Sequence, residues 1–219
     1  MAHFDIHRAM AALQAEAPHW AETALTVVAR TMGRDPFKIF IGCLLSLRTK
    51  DETTALAAAR LFALAGTPEE MLNLPLEMIK QAIYPVGFYH TKAGTILQVC
   101  RTLIERHGGE VPDTIEELLA LRGVGRKTAN LVLALGFQKP AICVDTHVHR
   151  ISNRWGYVRT KGPEGTEFAL RRKLPKGYWL IYNDLLVAFG QNCCKPISPL
   201  CSQCPISSLC PKIGVKMHR

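Results

Sequence analysis

The sequence predicts an all-α fold, and three observations carry that prediction. Apolar residues recur at helical spacing, as in Phe37, Phe40, Ile41, Leu44 and Leu45. Aromatic residues are only 7% of the 219 while Ala and Leu are abundant, which favours helices over sheets. The connections between periodic runs are short and carry helix caps and breakers, and nothing reads as a sheet.

Taken in order, the first helix is expected over residues 4–16, with Phe4, Ile6, Met10 and Leu13 roughly on one side. A second runs from about Trp20 to Met32 and stops at Gly33. Asp35 caps a third, a core helix with Pro36 in its first turn. That helix ends in the polar stretch from Ser46 to Asp51. Thr49 and Glu52 have capping-box spacing, which predicts a fourth helix from there to about Leu64. Thr67-Pro68-Glu69-Glu70 repeats the start signal for a short helix, and another follows around Glu77 to Ala82.

Pro85 and Gly87 make residues 84–89 a loop. Phe88 and Tyr89 on it are either buried anchors, the more frequent case, or a wedge for a DNA stack. Residues 90–107 form a long helix with Ala93, Ile96, Leu97, Cys100, Leu103 and Ile104 inward, stopped by Gly108-Gly109. A helical hairpin follows, ending near Gly136. Ala141 to Val144 is extended, and Asp145 caps a helix to about Trp155. Residues 156–165 are loop, with two more helices near Glu167 to Leu174 and Tyr178 to Phe189.

A hydrophobic share of 48% suits one large domain or two small ones with a real core. The 27 Lys and Arg against 18 Asp and Glu give a charge of +9, which favours a polyanionic partner. No secretory start is visible and the apolar runs are too short to span a membrane. A cytosolic protein is expected, with its eight cysteines free of disulfides. Cys43, Cys100 and Cys143 read as core residues, while the other five crowd the C-terminal tail.

The stretch Leu121-Arg122-Gly123-Val124-Gly125-Arg126-Lys127-Thr128-Ala129 lies between two apolar helical runs. Two glycines two apart make a tight turn there, because glycine tolerates positive φ and close backbone approach. The second helix starts near Arg126, so its free N–H groups point out of the turn and form an anion site that fits a DNA phosphate. Lys127 stands in the first helical turn, where the dipole disfavours an extra positive charge. A lysine in its neutral form is a nucleophile, so the stretch offers a phosphate grip and a reactive amine. The plain alternative is a surface turn with solvated charges.

Cys194, Cys201, Cys204 and Cys210 follow the spacing Cys-x6-Cys-x2-Cys-x5-Cys in a proline-rich segment that can hardly build a core. Four thiolates suit tetrahedral zinc or an iron–sulfur cluster, and spacing leaves both open. It also leaves room for Cys193 to replace Cys194.

The hairpin, the phrase Val144-Asp145-Thr146-His147 and the four-cysteine tail, in this order, resemble the endonuclease III family of helix–hairpin–helix DNA glycosylases. The resemblance covers nearly the whole chain. It implies a [4Fe–4S] cluster on the four cysteines, and two helical lobes with a DNA cleft between them. One lobe is placed at residues 23–136; the other joins residues 1–22 to 137–219 and carries the cluster loop, 194–210. The family's catalytic residues fall on Lys127 and Asp145. The resemblance further implies DNA contacts from Gly123, Val124, Gly125 and Arg126, gap-filling by Arg48 and Phe88, and a site-flanking role for His147. More often a histidine placed like His147 hydrogen-bonds a helix end. Arg48 departs from the family's common glutamine, Phe88 from leucine, and Arg122 from proline. The loop from Lys195 to Leu200 has one basic residue, fewer than many relatives. Arg150 and Arg154 read by default as a solvated face, with phosphate contact or an ion pair as the next alternatives.

The implied activity is base excision repair by a bifunctional glycosylase and abasic-site lyase that removes oxidised pyrimidines. Its implied partner is duplex DNA with a damaged base or abasic site, met by a monomer in the cytoplasm, nucleoid-associated if the source is prokaryotic. A mismatch-directed glycosylase of the same superfamily and a non-catalytic DNA-binding module are the alternatives.

Overall fold

The computed structural model describes residues 4–20 and 33–219. Among them there are eleven α-helices and no strand. The helices are α1 (Ile6–Glu16), α2 (Pro36–Ser46), α3 (Asp51–Phe62), α4 (Pro68–Leu72), α5 (Leu76–Ile83) and α6 (Tyr89–His107). They continue with α7 (Ile115–Ala120), α8 (Arg126–Leu135), α9 (Thr146–Arg154), α10 (Pro163–Lys173) and α11 (Trp179–Asn192). The helix expected at 20–32 lies, Trp20 apart, outside the described residues. The chain divides into two compact units, residues 24–141 and residues 1–23 with 142–219.

The first unit is built on α2. Asp35 caps it as expected, its Oδ1 accepting from the amides of Phe37 at 2.8 Å and Lys38 at 3.1 Å. Eight of its eleven residues are buried, so the helix is apolar nearly all round and belongs inside. Helices α3, α6 and α8 pack against it. Helix α6 buries Ala93, Ile96, Val99, Cys100 and Leu103, packs on α4 and α5, and closes at Gly108 in the left-handed conformation. Thr67 caps α4 with Pro68 in the first turn, again as the spacing predicts.

Two boundaries differ. The Thr49–Glu52 capping box does not form: α3 begins at Asp51, and Lys50 at its N-cap makes no side-chain cap. The Thr49 hydroxyl is taken by a tertiary contact to Gly87. Helix α10 begins at Pro163, inside the expected 156–165 loop. Gly162 and Pro163 resemble loop composition, yet Pro at a first helical position starts a helix, and Thr166 Oγ1 donates back to the Gly162 carbonyl at 3.0 Å.

In the second unit α1 packs on α11, and α9 on α10 and α11. Phe4 stacks on Trp155 at 5.0 Å between ring centres, and Trp155 and Tyr182 are fully buried. The Tyr182 hydroxyl meets Ser152 Oγ at 3.0 Å, which satisfies both buried groups. Cys43, Cys100 and Cys143 are buried, as expected.

The cap that starts α2 gives a direct test. Asp35→Ala removes the acceptor for two amides at the head of the central helix and is expected to cost about 1 kcal/mol. Chemical denaturation should show a lower midpoint with an unchanged slope.

Candidate functional site

Helices α7 and α8 are joined by the turn Leu121–Gly125. Leu121 and Val124 are buried and anchor it, with the Val124 amide donating to the Leu121 carbonyl at 3.2 Å. Gly123 takes φ 77, and a Cβ there would sit 3.2 Å from Thr95 Cγ2 on α6, so only glycine fits without strain. Gly125 is the N-cap of α8 and brings no side-chain cap. No side chain therefore caps the start of α8, where the positive end of the helix dipole favours an anion.

Lys127 stands exposed in that first turn, while Thr128, Ala129 and Val132 on the same helix are buried. The hairpin thus fixes the lysine backbone and leaves its amine accessible. The Cys43 thiol in α2 feels the Lys127 charge, but burial outweighs that pull and raises its pKa to about 12. It remains a protonated thiol and does not compete as a nucleophile. Arg122, exposed before the turn, hydrogen-bonds the Gln98 side chain of α6.

Two further loops of this unit meet. Arg48 and Phe88 are both exposed, and both are non-glycine residues in the left-handed region, at φ 55 and 59. Phe88 is 62% exposed, so it is not the buried anchor that is the commoner case; Tyr89 beside it is half-buried. The Arg48 guanidinium carbon lies 5.6 Å from the Phe88 ring centre. Behind them is Lys92, a residue the sequence reading did not single out. It is buried, and its ammonium donates to the Leu45 carbonyl at 2.7 Å, the Leu47 carbonyl at 2.6 Å and Thr49 Oγ1 at 3.3 Å. Burial lowers its pKa to about 8. A signal was present: Lys92, Ile96, Val99 and Leu103 share one helical stripe, so the lysine falls on the core face.

In the other unit, Asp145 caps α9, its Oδ1 accepting from the Val148 amide at 2.8 Å. The side chain is half-buried. His147 is pressed against α11: a Cβ at Gly190 would come within 2.2 Å of its Nδ1, and Arg150 Nη2 lies 3.2 Å from that nitrogen. Arg150 and Arg154 are not the solvated face expected of them. Arg154 is buried, and donates to the carbonyls of Lys195 and Pro196, both at 2.7 Å, and to Cys194 Sγ at 3.4 Å. Arg150 donates to the Cys194 carbonyl at 2.8 Å. Both arginines hold the cysteine loop.

Cys194, Cys201, Cys204 and Cys210 line one pocket, walled by Trp155, Phe189, Leu200, Ile206 and Val215. Four cysteine sulfurs on one cavity are the donor set that a cluster of four irons takes, one thiolate to each iron. Cys194 and Cys210 also accept N–H bonds at sulfur, from Arg154 and from the Lys212 amide at 3.4 Å, as ligating thiolates do. Cys193 lines the same pocket and donates its S–H to the Leu200 carbonyl at 3.6 Å.

An uncapped helical hairpin with an exposed lysine, and a four-cysteine loop, define a helix–hairpin–helix DNA repair protein with an iron–sulfur domain. Comparison bears this out. Residues 41–176 match the HhH-GPD superfamily of base excision DNA repair proteins, and residues 194–210 match the iron–sulfur binding domain of endonuclease III. The endonuclease III of Thermotoga maritima is 49% identical over 176 residues, 80% of this chain and 83% of that one. A trapped covalent intermediate of an endonuclease III with DNA superposes with a TM-score of 0.77 at 37% identity, covering 86% of this chain and 93% of that one. A thermostable thymine-DNA glycosylase superposes with a TM-score of 0.74 at 25% identity, over 93% and 97%. The chain belongs to the endonuclease III family. It is a DNA glycosylase and abasic-site lyase of base excision repair that binds DNA and carries a [4Fe–4S] cluster. Among the described residues no helix is long and apolar enough to cross a membrane.

Gly123→Ala tests the turn. Its positive φ and the Thr95 contact are expected to cost about 1 kcal/mol of stability. Affinity for duplex DNA should fall several-fold, read by fluorescence anisotropy at fixed salt.

Proposed function

We propose that Lys127 is the nucleophile and Asp145 its carboxylate partner in the removal of oxidised pyrimidines from duplex DNA. The observation that carries this is the exposed amine of Lys127 in the first turn of an uncapped helix. A phosphate on the amides of Arg126 and its neighbours would bring a nucleotide sugar to that amine. The target base must leave the stack to be reached.

The Lys127 ammonium gives a proton to Asp145, the freed Nζ lone pair attacks C1′ as the bond from C1′ to the base breaks, and that proton passes on to the departing base. The sugar ring opens to an iminium on Lys127. The iminium acidifies the C2′ hydrogen; its loss expels the 3′ phosphate and cuts the strand. Water then hydrolyses the imine and frees the lysine. Asp145 supplies a negative charge beside the developing positive sugar and accepts the amine proton. The related endonuclease III trapped covalently on DNA supports the covalent step. Gly123, Val124, Gly125 and Arg126 grip the strand, Arg48 and Phe88 fill the vacated position, and His147 supports the Asp145 end of α9. The protein acts as a monomer in the cytoplasm, nucleoid-associated if the source is prokaryotic, and residues 23–136 and 1–22 with 137–219 serve as its two DNA-binding lobes.

The likeness to a thymine-DNA glycosylase keeps a second reading in view, release of thymine opposite guanine. Borohydride trapping separates the two. Duplexes carrying one thymine glycol, one abasic site or one G·T mismatch should be incubated with the native protein and with Lys127→Ala. Cross-links on the first two duplexes, lost in the variant, are expected. Trapping on the abasic site without the glycol would overturn the oxidised-pyrimidine reading; trapping on neither would overturn the lysine mechanism. Asp145→Asn keeps a good N-cap, so stability should hold while single-turnover base release slows roughly 100-fold.

A further inference from the structure

The buried ammonium of Lys92 joins the two exposed loops that carry Arg48 and Phe88. Helix α2 ends at Ser46, and its last carbonyls need partners. Ser46 Oγ donates to the Cys43 carbonyl at 2.8 Å and the Thr49 amide to the Ser46 carbonyl at 3.2 Å. Leu45 is served by Lys92, whose other two protons go to Leu47 and Thr49. All three ammonium donors are thereby placed, one of them just before Arg48 and one just after it. The Lys92 backbone amide donates to the carbonyl of Phe88 at 3.0 Å. One residue thus grips both loops, Arg48 by its side chain and Phe88 by its main chain.

Thr49 completes the link. Its hydroxyl accepts from Lys92 and from the Gly87 amide at 3.1 Å, and donates to the Leu47 carbonyl at 3.3 Å, which uses its full capacity. Gly87 lies so close that a Cβ would stand 2.5 Å from the Arg48 carbonyl oxygen. Each loop then presents one exposed side chain from a left-handed backbone, a conformation that persists in non-glycine residues when the surroundings impose it.

We propose that Lys92 is a positioning residue: with Thr49 it locks the Arg48 and Phe88 loops into one two-pronged element that enters the base stack together. This rests on the gap-filling reading of Arg48 and Phe88 given above. Lys92 touches no DNA. It makes the prongs act as a pair, so that the order present before binding need not be gained on binding.

The test uses the full protein with its cluster and a duplex bearing a tetrahydrofuran abasic analogue opposite 2-aminopurine. Neither activity can process that duplex, so the fluorescence change on binding reports stack entry for any lesion preference. Single-turnover base release is read on whichever lesion duplex the native protein cleaves. Phe88→Ala should lose most of the fluorescence change and release base at least fivefold more slowly. Lys92→Met should reproduce both losses, with affinity for undamaged duplex within twofold and unchanged cluster absorbance. The double variant should be no slower than Phe88→Ala within twofold, since one element is already lost. Native signal and rate in Lys92→Met, or effects that multiply in the double variant, overturn the clasp and leave the wedge standing. A silent Phe88→Ala overturns both. Should Lys92→Met not fold, the Thr49 pair decides: Thr49→Val is expected to match the Phe88→Ala losses and Thr49→Ser to keep the native signal, and any other pattern overturns the proposal.

Discussion

A helix buried on every side cannot leave its terminal carbonyls to water, and that constraint shapes the unit at residues 24–141. Helix α2 supplies its central apolar surface, with α3, α6 and α8 packed round it. Its last turn therefore ends inside protein, where an unpaired carbonyl costs about 1–3 kcal/mol. The solution is a buried cation. An ammonium carries three donors and no acceptor, so it satisfies several carbonyls without adding an unmet lone pair. The positive charge is also better placed at a helix C-terminus than anywhere else along it. Because the partner carbonyls flank Arg48, satisfying the core and shaping the surface loop are one event.

The same device recurs in the other unit. Arg154 is buried and gives its protons to the carbonyls of Lys195 and Pro196 and to Cys194. Lys173, although exposed, likewise donates to the Tyr157 carbonyl at 2.8 Å and lies 4.5 Å from that ring's centre. In each case a cation stabilises irregular backbone that no helix or strand could satisfy. The cysteine segment illustrates the need. Its prolines remove amide donors and its turns leave carbonyls free, so two arginines from α9 supply the missing bonds. The head of α8 differs, since Gly125 brings no side-chain cap there. The interior end of α2 is closed by a cation and a hydroxyl.

Much of this fold was legible in the sequence, and the misses share a cause. The apolar stripes of α1, α2 and α6 and the caps at Asp35, Thr67 and Asp145 are local signals, and the structure follows them. The hairpin turn was equally plain, since two glycines in five residues leave few alternatives. What escaped was tertiary use of polar groups. Thr49 has the spacing of a cap, yet its hydroxyl serves Gly87 and Leu47 on loops that only the fold brings together. Lys92, Arg150 and Arg154 are residue types that are almost never fully buried, so a solvated face was the natural expectation for the two arginines. Burial of Lys92 and Arg154 became favourable because each found a set of carbonyls, and carbonyl positions cannot be read from side-chain identity.

Arg48 and Phe88 show why such support matters at a surface. A left-handed backbone at a residue with a Cβ costs roughly 1–2 kcal/mol, and here two such residues stand within contact of each other. The cation–π approach between them offsets part of that, about 0.5–1 kcal/mol at an exposed site. The remainder is carried by bonds beneath the surface, from Lys92 and Thr49 to the backbone on either side. Exposed arginine and phenylalanine side chains on free loops would lose much of their rotamer and backbone entropy on entering a base stack. Held from below, they have lost most of the backbone share already. The strain at the two tips is thus a consequence of fixing them before DNA arrives. It can be sustained because the ammonium that imposes it also completes the core.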